Sequence, residues 1–152
     1  MWIPILPFPT PRNNWRKRAE TKNKEVYFRL RTHEEDTLIG FVVIHSIEWN
    51  NRCGQLAIGI GLAEHRNKGY GTEALNLILR YAFHEMNLDR VGLDVISYNA
   101  KGIRAYEKAG FQLEGRAREA VYRDGRRYDR LMMGILKPEW EALNPMQMED
   151  EQ

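Results

Sequence analysis

A single cysteine, Cys53, stands among 152 residues, so neither an intramolecular disulfide nor a multi-cysteine zinc site can be built from this chain. The four histidines (His33, His45, His65, His84) are scattered, with no HExxH or CxxC spacing, and no metal site is expected. Long apolar runs are missing as well. The longest clean one, Phe41-Val42-Val43-Ile44, is far too short to span a bilayer. An excess of one charge is also absent: 23 Lys and Arg face 21 Asp and Glu, and a net +2 does not by itself call for nucleic acid or a membrane. The opening, Met1 to Pro11, is apolar but broken by Pro4, Pro7, Pro9 and Pro11 and carries no basic leader. It does not read as a signal peptide, and the expected compartment is the cytoplasm.

What is present is ordinary globular material, 43% apolar and 29% charged with 12 Gly and 6 Pro. One domain over residues 1–152 is expected, with an N-terminal arm at 1–22 and a frayed tail at 141–152. Thr10 followed by Pro11 starts a short helix to Thr21 that carries Trp15 inward. Val26–Arg31 alternates as a half-buried strand, Leu38–Ile47 reads as a central strand and Gln55–Leu62 as a third, together an antiparallel meander. The period then changes. Leu75, Ile78, Leu79, Ala82 and Met86 form the inner stripe of a helix over 71–86, with Asn87 as its left-handed stop. Val91–Ile96 is a short buried strand, so residues 55–96 make a βαβ unit whose strands run parallel. Asn99 caps a second helix that ends at Ala109 and Gly110. Phe111, Leu113, Gly115 and Ala117 alternate with polar residues, Asp124-Gly125 is a hairpin turn, and Leu131, Met133 and Ile135 alternate on the return strand, which Pro138 ends. The class is α/β (α+β).

The segment that carries chemistry is His65-Arg66-Asn67-Lys68-Gly69-Tyr70-Gly71-Thr72, between a strand and an amphipathic helix. Gly69 and Gly71 free the backbone to turn its N–H groups toward one point. The first turn of the helix adds unpaired N–H groups and a partial positive charge, and Arg66 and Lys68 bring full charges. That is a cradle for a diphosphate. It lacks the Gly-Lys-Ser/Thr of a Walker loop and the three-glycine dinucleotide pattern. Taken alone, it is matched evenly by a Gly-rich turn that binds nothing.

Arg66-x-x-Gly69-x-Gly71, followed by Asn99-x-x-x-x-x-x-Tyr106-x-x-x-Gly110-Phe111, resembles the GNAT acetyltransferase superfamily in motif content, order and separation, over about residues 25–140. Glu114-Gly115-Arg116-Ala117-Arg118-Glu119 onward to Gly125 is similar to the branch holding ribosomal-protein-alanine and spermidine N-acetyltransferases. The resemblance implies a mixed, mostly antiparallel sheet with flanking helices and a splayed central pair of parallel strands. It implies acetyl-CoA as co-substrate, with the pantetheine arm against main-chain groups of Gly59, Ile60 and Gly61 and its phosphates at Arg66, Asn67, Lys68, Gly69, Tyr70, Gly71 and Thr72. An N–H near Ile60 would polarise the thioester, Asn99 would hold the arm, and Tyr106 would protonate the leaving thiolate as general acid.

Three features depart from the family pattern. Gly102 stands where Ala is commoner, and Gln55 where the branch often carries Glu; an amide does not titrate. A first strand and helix are also missing, so either the start is truncated or the pocket is open or completed by a second chain, a homodimer. Cys53 is expected to be a passive thiol rather than a nucleophile, and His45, His65 and water stay open as routes for the amine proton. The leading function is direct acetyl transfer from acetyl-CoA to a primary amine. The alternatives are an acyl-CoA sensor and a ribosome or nucleic-acid module. Arg116, Arg118, Arg123, Arg126, Arg127 and Arg130 make the last hairpin basic, but no aromatic stacking set interleaves them, so a nucleic-acid partner is not expected.

Overall fold

A computed structural model describes residues 25–32, 36–61 and 70–145. The expected helix at 11–21, the cradle residues Arg66 to Gly69 and the acidic tail at 149–152 lie outside the described residues. The chain divides into two compact units, residues 1–93 and 94–152.

In the first unit, β1 (Val26–Arg31), β2 (Leu38–Glu48) and β3 (Cys53–Ile60) form the expected antiparallel meander. Alternation places Phe28, Val42, Ile44 and Leu56 in the core, and Tyr27, Phe41, Val43 and His45 on the other face. Ser46, at φ 51°, sits in a register shift between His45 and Glu48. That bulge turns Ile47 into the core where strict alternation would have sent Ser46.

Helix α1 (Tyr70–Arg80) lays Ala74, Leu75, Ile78 and Leu79 into this core. The sequence extends one helical stripe to Met86. Instead residues Tyr81–Glu85 form a π-helical turn in which Met86 N–H donates to the Tyr81 carbonyl at 2.9 Å. The wider turn shifts the phase, so Phe83 becomes fully buried while Met86 is only half-buried. Asn87 then stops the helix at φ 60°. Arg52 ties this corner to the β2–β3 turn, donating to the Asn87 carbonyl at 2.9 Å and to its side-chain oxygen at 2.8 Å.

Strand β4 (Arg90–Ile96) crosses the boundary between the units, and the strands hydrogen-bond in the order β1-β2-β3-β4-β6-β5. In the second unit come α2 (Ala100–Ala109), β5 (Gln112–Arg123), β6 (Arg126–Leu136) and α3 (Lys137–Leu143). Asp124 and Gly125, at φ 49° and 76°, make the two-residue primed turn that the hairpin needs.

Two expectations fail here. The simple inward alternation of Leu113, Gly115 and Ala117 does not hold: β5 carries register shifts at Leu113/Gly115 and Ala117/Val121, and Leu113 is 58% exposed. Asp129 fixes the second bulge, accepting from the Glu119 N–H at 2.9 Å and from Arg116, and these donors hold its carboxyl below the usual aspartate range. Residues 141–143 also do not open a frayed tail. Strand β6 ends before Pro138, and the proline occupies the first turn of α3, where its missing N–H costs nothing. Glu139 accepts from the Leu136 N–H at 2.9 Å, and Trp140 is buried.

Gly110 closes α2 at φ 112°, and a Cβ there would lie 2.7 Å from Leu143 and 2.9 Å from Ile135. Gly110→Ala should therefore lower the unfolding free energy by about 1–3 kcal/mol in urea titration, and an unchanged midpoint would contradict this packing.

Candidate functional site

The parallel ladder between β3 and β4 comprises Cys53↔Arg90, Gly54↔Val91 and Gln55↔Gly92. It stops there, although β3 continues to Ile60. Gln55 marks the stopping point: a Cβ on Gly92 would lie 2.8 Å from its amide nitrogen, so the side chain rests on that glycine. Beyond it, the edge of β3 away from β2 is the candidate berth for an extended ligand.

Main-chain directions along this stretch follow from one hydrogen bond. Gly61 N–H donates to the Ile39 carbonyl at 2.8 Å, which makes Ile39 and Gly61 a hydrogen-bonded antiparallel pair. Such pairs alternate, so Gly59, opposite Phe41, also turns its main-chain groups toward β2. Ile58 and Ile60 face the other way. The expected trio of Gly59, Ile60 and Gly61 thus separates: Ile60 directs its amide and carbonyl to the open-ladder edge, the two glycines do not, and Ile58 joins it. Only the register carries this parity, so the sequence offered no signal for Ile58.

Gly59 has a packing reason for its missing side chain, since a Cβ there would meet the Phe41 ring at 2.7 Å. Phe41 lies directly opposite and covers the glycine, an aromatic substituting for the missing side-chain contacts. Tyr27 stacks on Phe41 at 5.9 Å, their planes 7° apart.

At the start of α1, among the described residues beyond its chain neighbours and its own helix backbone, nothing lies within 4 Å of where a Cβ on Gly71 would stand. Gly71 and Thr72 lie in the first turn of the helix, where main-chain N–H groups lack helical partners. Glu73 follows, its carboxyl pushed up by burial.

In the second unit, Asn99 caps α2 as expected, its side-chain oxygen accepting from Gly102 N–H at 3.0 Å. A Cβ on residue 102 would lie 2.5 Å from the Asn99 amide nitrogen, which accounts for glycine at this position. Tyr106 is half-buried rather than a core residue, with its ring edge-on to Phe111 at 5.8 Å. Burial pushes its phenol above the usual tyrosine range, so it keeps its proton at neutral pH. Cys53 goes the same way. Burial and then the Glu48 carboxylate raise its thiol, outweighing Arg90, and a protonated thiol is a poor nucleophile. His45 lies across from Gln55 in the β2–β3 ladder, with its Nδ1 2.9 Å from Ser46 Oγ.

Residues 2–112 match the family model described as an acetyltransferase (GNAT) domain. The chain belongs to the GNAT acetyltransferase family. GNAT enzymes draw their acetyl group from acetyl-CoA. The SPbeta prophage-derived uncharacterized N-acetyltransferase YokL of Bacillus subtilis is 30% identical over 138 residues, 90% of this chain and 77% of its own length. The protein named "Probable N-acetyltransferase YjcK" of the same organism is 38% identical over 119 residues, 78% of this chain and 65% of its own length. Among solved structures, spermidine N-acetyltransferase from Vibrio cholerae in complex with CoA and spermine superposes with a TM-score of 0.75 at 31% identity, over 82% of this chain and 72% of that one. Among the described residues, no helix is long and apolar enough to cross a membrane, and no three acidic, His or Cys side chains gather as a metal site.

The open space at Gly71 separates binding from folding. Gly71→Val should leave stability within about 0.5 kcal/mol. It should weaken CoA binding more than about tenfold, which is about 1.4 kcal/mol. Calorimetric titration and thermal melts would measure both, and an unchanged affinity in a folded variant would remove the cradle from this turn.

Proposed function

We propose that this GNAT chain transfers acetyl from acetyl-CoA directly to a primary amine bound beside it, without an acetyl-enzyme. The amine nitrogen attacks the thioester carbonyl, the C–S bond breaks, Tyr106 gives its phenolic proton to the departing thiolate, and the proton shed by the nitrogen passes to water, from which the phenolate is reprotonated. Ile58 and Ile60 pair with the amides of the pantetheine arm, and the Ile60 N–H stabilises the developing oxyanion. The Asn99 amide nitrogen, left over after its oxygen caps α2, donates to the same arm. Arg66, Asn67, Lys68, Gly69, Tyr70, Gly71 and Thr72 hold the phosphates.

The half-buried Tyr106, its phenol held in the protonated form, is the observation that carries this proposal. The raised Cys53 thiol supports direct transfer over a covalent relay. A solved relative that holds CoA and spermine together supports an amine acceptor met in a ternary complex, and polyamines head the acceptors to test. Cytoplasmic acetyl-CoA is the donor supply this activity needs, and a homodimer is the assembly to test.

Thiol release should be measured with spermine, spermidine and peptides bearing free N-termini. Tyr106→Phe should lower kcat by about 10²–10⁴ while CoA affinity stays within about twofold. A raised phenol pKa keeps the acid form to higher pH, so the wild-type kcat should fall only above about pH 10, and the variant should lack that limb. A loss confined to CoA affinity would remove the acid role. Tight CoA binding with no turnover on any amine would favour an acyl-CoA sensor.

A further inference from the structure

We propose that the β5–β6 hairpin, together with Tyr98, binds single-stranded RNA. From Gln112 to Leu136 the hairpin holds six arginines and four acids, a net of +2, so the chain's whole net charge of +2 resides there and the other residues together carry none. Among the arginines, Arg116 pairs with Asp129, Arg127 sits over the Tyr122 ring and Arg123 donates to the Tyr122 carbonyl at 2.8 Å. Arg123, Arg126 and Arg130 make no ion pair with a described residue, and all three are exposed.

Register places them on one face. Arg123 lies opposite Arg126, Val121 opposite Tyr128 and Ala117 opposite Arg130, so β6 presents Arg126, Tyr128 and Arg130 in alternate positions about 6.8 Å apart. Tyr98, from the loop after β4, meets Tyr128 edge-on at 4.7 Å and is itself 56% exposed. The sequence alone did not show this pair of rings, because Tyr98 arrives from a separate segment. The opposite face repeats the pairing: Arg127 lies 5.0 Å over the ring of Tyr122, which is 57% exposed.

Protection of a sheet edge does not explain the pattern. The edge strand is β5, already broken by two bulges, whereas Arg126 and Arg130 project from β6, which lies inside the sheet. Cations flanking the half-buried Tyr128 ring, with the exposed Tyr98 ring against it, match a strand of phosphates and unstacked bases. An acidic peptide would use the arginines and leave the rings idle.

Fluorescence anisotropy of a labelled oligouridine strand with the full chain tests this. Saturable binding is expected, with affinity falling roughly twentyfold from about 50 to about 200 mM salt, as three neutralised phosphates on a single strand require. The triple variant Arg123→Gln, Arg126→Gln, Arg130→Gln, the single Arg130→Gln and Tyr98→Ala should each weaken binding, the first and last by about tenfold or more. Melting temperature of the arginine variants and CoA affinity of all the variants should stay unchanged, which certifies the fold. No saturable binding at the lower salt, or affinity unmoved in folded variants, would overturn the proposal. Displacement of the RNA by oligoglutamate or polyphosphate as readily as by unlabelled RNA would overturn it too, by showing a surface that reads charge alone.

Discussion

Three residue pairs of parallel ladder, and then none, set the terms for everything this molecule does. Strands β3 and β4 hold each other at Cys53, Gly54 and Gln55, and past Gly92 the ladder between them does not continue. Strand β2, by contrast, is paired along both edges, with β1 and with β3. An edge that opens inside a sheet, rather than at its rim, is a place where an extended, amide-bearing ligand can behave as one more strand. The antiparallel bond from Gly61 to Ile39 on the far side matters equally, because it fixes which of the β3 amides look outward.

Much of this was legible in the sequence, because strong periodicity and strong caps say the same thing locally and globally. Val26–Arg31 alternates cleanly and is a strand with those very limits. Asn99 and Gly110 bracket α2 where a capping side chain and a left-handed stop require. The Asp124-Gly125 pair dictates its hairpin. Each of these depends on a residue type whose preference is intrinsic, so no tertiary knowledge was needed.

The failures share the opposite property. The π-helical turn at Tyr81–Glu85, the bulges around Ser46 and Glu119, and the outward turn of Leu113 all insert or shift one or two residues, and the hydrophobic pattern on either side still scans. Helix α3 escaped because Pro138 reads as a terminator when it stands alone and as an initiator only when Glu139 is seen to reach back to Leu136. Within the candidate site, residue identity marked Tyr106 and Asn99, whose side chains act. It could not mark Ile58, whose contribution is a main-chain direction set by pairing.

The π-helical turn also bears on how this chain can vary in length. Its bond from Met86 to Tyr81 spans one residue more than a regular turn, so losing one residue between Tyr81 and Glu85 would let the helix wind regularly while the residues after it keep their places. Phe83, fully buried within the turn, is the residue such a deletion would have to spare. The segment therefore tolerates a shortening that a regular helix, which has no residue in excess, would convert into a rotation of about 100°.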